Sequence, residues 1–128
     1  MVSAKKLLPV LILGGLLAGC STTITNLAPK QEHHNANNLY DLEVALSSTQ
    51  ESLRWPSIKP YVIIGAETYP MKFSPLMTNR WETLVPIKPG ENVIYYRYKF
   101  DFDYNAFGNV PQPDSKLSPK YRLQIIGN

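Results

Sequence analysis

Few side chains in this sequence are of a type that does chemistry. His33 and His34 are the only histidines. Adjacent residues of an extended chain project to opposite sides, so the pair does not share one metal ion. Both lie in a polar stretch, which leaves the rest of the chain without an imidazole base. Asp101 and Asp103 stand two apart, on one side of a strand, and Asp114 follows across a loop. Carboxylates so placed raise calcium binding and paired-carboxylate hydrolysis. Calcium takes roughly 6–8 oxygens, and the acidic, glycine-containing loop that usually supplies them is missing. Glycoside hydrolysis needs acids flanking a cleft, whereas these share one strand. They read as a solvated strand end, with Arg97 and Lys99 as charge partners. No catalytic residue and no metal ligand is assigned, and an enzyme is not expected. What remains is Cys20, the only thiol in the chain.

The residues before Cys20 form an ordered series. Lys5 and Lys6 come first, then an uncharged, mostly apolar run over 7–19, then Leu17-Ala18-Gly19 against the cysteine. Charge, apolar run and small residues in that order make a secretory signal. A spanning helix needs about 20 apolar residues, and this run is shorter and holds Pro9, Gly14 and Gly15. Leu17-Ala18-Gly19-Cys20 resembles the lipobox of bacterial lipoproteins. The resemblance implies that a diacylglyceryl group alkylates the Cys20 thiol, that cleavage falls just before it, and that the new amino terminus is acylated. Ser21, where an Asp would favour inner-membrane retention, implies the outer membrane. One acyl chain binds a bilayer only marginally, while two or more hold firmly at about 0.8 kcal/mol per buried methylene. The covalent lipid on Cys20 is the only non-protein group expected; no cofactor is.

Composition narrows the remainder. The chain has 128 residues, with 13 Lys and Arg against 10 Asp and Glu. Removal of Lys5 and Lys6 with the signal leaves eleven basic residues against ten acidic. No basic excess remains to neutralise phosphates, so nucleic acid is not an expected partner. The chain is long enough for one domain. With its thiol taken by the lipid, that domain folds on its hydrophobic core, without a disulfide.

The elements that position these groups are strands. Residues 21–38 are polar and read as a tether, although Thr22 to Ala28 alternate β-branched side chains, and pairing as a first strand is the alternative. From Leu39 the period is two: Tyr40, Leu42, Val44 and Leu46 alternate with Asp41, Glu43, Ala45 and Ser47, a half-buried strand. Residues 61–64 and 68–73 flank Gly65 as a hairpin. Residues 80–87 place Trp81, Thr83 and Val85 on one face. The longest strand, 92–104, has Ile94, Tyr96, Tyr98, Phe100, Phe102 and Tyr104 on one face and Val93, Tyr95, Arg97, Lys99, Asp101 and Asp103 on the other. Residues 121–126 close the chain. The expected fold is all-β, an immunoglobulin-like β-sandwich of about seven strands. Its expected division is signal peptide 1–19, lipidated Cys20 and linker 20–38, and sandwich 39–128. The stretch from Trp81 to Phe100 resembles early-set immunoglobulin-like domains, which include glycogen-binding modules. Asn79-Arg80 stands where that family usually places a Gly before the Trp.

Residues 105–118 show no regular pattern and read as a long loop, and loops of that length are commonly functional. Tyr104, Phe107 and Val110 are its candidate binding residues. The alternative is that Phe107 folds back to plug the sandwich end. The expected function is that of a small lipoprotein anchored at the outer membrane, a non-enzymatic structural or partner-binding subunit of a cell-envelope assembly. Its partners would be the membrane, through the lipid, and an envelope protein. The alternative is a membrane-tethered carbohydrate-binding module with a glycan ligand.

Overall fold

The computed structural model describes residues 21–127, so the signal segment and Cys20 lie outside it. Ten strands follow one another: β1 Thr22–Asn26, β2 Gln31–His33, β3 Leu39–Ser48, β4 Lys59–Ile64, β5 Glu67–Pro70, β6 Lys72–Phe73, β7 Arg80–Pro86, β8 Val93–Asn105, β9 Pro111–Leu117 and β10 Tyr121–Ile126. The helical pieces among the described residues are 3₁₀ turns at Trp55–Ser57 and Phe107–Asn109. One sheet is ordered β1-β3-β7-β6. The other is ordered β2-β10-β8-β4-β5, with β9 also on β8. The two form the all-β sandwich expected, with β8 at the centre of the larger sheet.

Ten strands stand where about seven were expected. The expected return strand 68–73 divides into β5 on β4 and β6 on β7 of the other sheet, and the rest of the difference lies in two places. The first is the segment expected as a linker. β1 pairs antiparallel with β3, from Thr22↔Ser48 to Asn26↔Val44. The chain then changes sheets, and β2 pairs parallel with β10. The sandwich therefore begins at residue 22, not 39. Asn26 explains why this polar segment packs. Its Nδ2 donates to Tyr96 OH at 2.9 Å, and Tyr98 OH donates to its Oδ1 at 2.7 Å. Two phenols buried in the core would otherwise lose their hydrogen bonds to water, which is costly. Burial raises the pKa of both tyrosines.

The second is the expected loop 105–118, most of which is strand. β9 pairs with β8 from Lys99↔Leu117 to Asn105↔Pro111. Pro111 and Pro113 suppress the strand signal, yet being two apart they share one edge. Ser118 N–H bonds inward to Tyr98 O, so the odd-numbered positions of this strand face outward. Prolines there lose no ladder bond and blunt an open edge. Beyond β9 the register on β8 slips by one residue, from Lys99↔Leu117 to Tyr96↔Tyr121, which is a bulge at Pro119 and Lys120. The buried Ser118 hydroxyl bridges it, accepting from Tyr98 N–H and donating to Pro119 O, both at 2.8 Å.

The core follows the period-two pattern. Leu42 and Val44 of β3, Val62 of β4, Val85 of β7, Tyr98 and Phe100 of β8 and Leu123 of β10 are fully buried. Phe100 meets Trp81 edge to face at 5.6 Å, and Tyr96, Tyr98 and Tyr121 cluster at 5.6–5.8 Å. Such contacts add about 0.5–1.5 kcal/mol each beyond area burial.

Candidate functional site

The residues with chemical potential do not converge. His33 and His34 are exposed, and His34 N–H bonds to Ile126 O beside β10. Asp101 and Asp103 share the outer face of β8, but Asp114 is registered opposite Phe102 and so belongs to the other face. Asp101 pairs with Lys99 at 3.5 Å. Asp101 and Asp103 line a shallow groove of about 710 Å³ together with Lys59, and Asp114 borders it from the edge strand. Among the described residues no group of three or more His, Cys, Asp or Glu is placed to hold a metal.

Tyr104, Phe107 and Val110 lie on the β8–β9 hairpin. Tyr104 sits half-buried at its base, bridged to Leu53 of the β3–β4 connection. Val110 is exposed beside the tip, and Phe107 is 99% exposed. Phe107 therefore does not plug the sandwich end. Gly108 and Asn109 have φ of +71° and +62°, consecutive left-handed residues that turn the chain and hold Phe107 outward.

The site that sequence reasoning missed is on the outer face of β8. Val93 and Tyr95 were legible there, but their neighbours were not. The ladder brings Ile63 opposite Arg97 and Leu117 opposite Lys99. Ile63, Val93, Tyr95 and Leu117 line a groove of about 660 Å³, with Glu91, Arg97 and Lys120 also on its wall. Tyr95 is 56% exposed, and Val93 and Leu117 are also exposed. Gly65, at the β4–β5 turn with φ +59°, has open space where a Cβ would stand, so this end of the groove stays wide. An apolar, aromatic centre with a charged rim is the composition of a protein-binding patch. The exposed rings Trp55, Phe73, Tyr95 and Phe107 make no ring contact with one another; Phe73 stacks on the buried Trp81 instead.

Near the start of β8, at the end away from the β8–β9 tip, Glu32 of β2 and Asp41 of β3 approach across the sandwich. The Glu32 carboxyl has one oxygen buried without a hydrogen-bond partner. Burial first, and the Asp41 charge second, raise its pKa. Asp41 is raised too, by burial and then by Glu82 and Glu43. A carboxyl whose folded pKa exceeds its unfolded value binds its proton more tightly when folded. Stability therefore falls as pH rises from the ordinary value, 4.5 for Glu32, through the raised one. Glu32→Gln removes the buried charge. Its thermal melt at pH 7 should lie above the parent's, and the two should converge below pH 4.5. A variant that melts below the parent at pH 7 would show that the carboxylate is a stabilising partner.

The chain matches no protein-family model, and no curated protein matches its sequence.

Proposed function

We propose that this chain is a lipid-anchored, non-enzymatic domain of the bacterial cell envelope, held at the outer membrane through Cys20, which binds a protein partner on the outer face of β8. The observation that carries this reading is the groove of Ile63, Val93, Tyr95 and Leu117 with its charged rim. A long strand paired on both edges makes that face rigid, and little ordering entropy is lost when a partner docks. The scattered exposed rings favour a protein over a sugar, since sugar platforms use neighbouring coplanar rings.

The test is recovery of partners from detergent-solubilised envelopes with the full chain and with Tyr95→Glu/Leu117→Glu. Both side chains are exposed, so the double variant should melt within a few degrees of the parent. It should lose the partner that the parent retains. A variant that folds and keeps every partner removes this face from the function. Glucan binding by the parent, abolished in the variant, would establish the carbohydrate reading in its place.

A further inference from the structure

Three loops share one end of the sandwich: residues 49–58 between β3 and β4, residues 74–79 between β6 and β7, and the β8–β9 tip. Asn105 N–H donates to Ser52 O at 2.8 Å and Arg54 N–H to Asp103 O at 3.0 Å, joining the first loop to the hairpin. Leu46 N–H of β3 donates to Asn79 O at 3.0 Å, fixing the second loop to that strand, and Trp55 of the first loop shares a recess with Thr78 and Asn79. The start of the described chain is at this end too. Ser21 N–H donates to Thr49 Oγ1 and Thr49 N–H to Ser21 O, both at 2.9 Å.

Each loop presents an apolar side chain to solvent. Leu76 is 104% exposed, Phe107 99% and Trp55 38%. Residues 74–79 and 105–110 contain no charged side chain. Leu76 also has φ +62°, a left-handed conformation that a leucine rarely adopts, and such strain clusters at binding positions. Water rewards none of this.

We infer that this end of the sandwich rests on the phospholipid surface, with Leu76 and Phe107 inserted among the headgroups and Trp55 at the interface. The inference builds on the lipid-anchor reading of Cys20. The Cα of Cys20 is about 3.8 Å from that of Ser21, and Ser21 is bonded to Thr49. No slack separates the acyl chains from these loops, so the loops meet the bilayer wherever the lipid enters it. Two apolar, uncharged tips beside a tryptophan, whose own loop carries Glu51 and Arg54, are what an interfacial contact takes. The groove on the outer face of β8, around Val93 and Tyr95 at the start of the strand, then lies toward the end away from the membrane, open to a protein.

The test places a probe at each position. Leu76→Cys, Phe107→Cys and Tyr95→Cys are made singly in the full chain, whose own thiol lipidation consumes. Each is labelled with a polarity-sensitive nitrobenzoxadiazole maleimide. The lipidated proteins enter phosphatidylethanolamine–phosphatidylglycerol vesicles that contain a nitroxide-bearing lipid. Labels at 76 and 107 should lose most of their emission to the nitroxide and resist aqueous iodide; the label at 95 should do the reverse. All three positions are exposed, and a melt matching the parent's checks each fold. Labels at 76 and 107 as open to iodide as the label at 95 overturn the orientation. So does shielding from both quenchers in these vesicles, which means that the tips are covered by protein. The parent chain separates the two readings: if it takes up maleimide at Cys20, the lipid-anchor reading itself fails.

Discussion

Phe100→Ala should destabilise the domain by about 3–5 kcal/mol, the usual range for emptying a buried phenylalanine site. Phe100 is 0% exposed, and its ring meets the Trp81 edge at 5.6 Å. Trp81 is in turn stacked by Phe73 at 5.2 Å. Truncation removes the transfer energy of the ring and leaves a cavity between the two sheets, where paired backbones on both sides resist collapse. Domains of this size are stable by about 5–15 kcal/mol in all. The melting temperature should fall by more than about 10 °C. Tyr95→Ala, on the same strand but the opposite face, is the control and should change stability by about 0.5 kcal/mol or less. If Phe100→Ala shifts the melt by only a degree or two, the faces of β8 are reversed. The strand would then have its groove and its core exchanged.

Cys20→Ala should abolish the mature, lipid-anchored form, leaving an uncleaved precursor or a soluble periplasmic domain. The lipobox resemblance makes this thiol the acceptor of the diacylglyceryl group, and the chain has no second cysteine to replace it. Without the thioether the signal peptide is left uncleaved, or the domain is released to the periplasm. Acyl chains contribute about 0.8 kcal/mol per buried methylene, far more than a few loop side chains. The mature form in the membrane fraction should therefore be lost entirely, while the melt of the folded domain should stay unchanged because Cys20 precedes its first strand. An alanine variant that matures at the normal position and remains in the membrane fraction would falsify the anchor reading. Loss of membrane binding together with loss of folding would show that the domain needs its anchor to fold.

These two experiments draw on different levels of information. The faces of β8 are legible from residue spacing alone. Tyr96, Tyr98 and Phe100 alternate with Tyr95, Arg97 and Lys99, and a pleated strand turns alternation directly into two faces. β3, β7 and β10 are legible for the same reason, and the β4–β5 hairpin because Gly65 supplies the positive φ that its turn requires. The proposed anchor at Cys20 rests on a local resemblance too, a short run read along the chain.

β1, β2 and β9 are not legible in this way. Each lies at a sheet edge and is held from one side, so its residues need not alternate between oil and water. β1 is polar, yet Asn26 is bound by two core phenols. β9 carries two prolines, tolerated because both point to its free edge. Pairing supplies what composition lacks: a strand forms where a neighbour offers an unfilled ladder. Lys116 completes this edge by donating through Nζ to Thr22 O, from β9 across to β1.

What the sequence by itself determined is therefore the set of local properties of the folded domain: the all-β character and the inward faces of the long strands. Only the tertiary structure decided which distant residues became neighbours. Ile63, Tyr95 and Leu117 meet because register on β8 places them on one face, and a slip of one residue would send them to the other. Leu76 and Phe107, far apart in the chain, reach the end where Ser21 begins because successive antiparallel strands return every second connection to the same side. Sandwich closure sets those meetings, and closure depends on all the strands at once, so no single stretch of sequence records it.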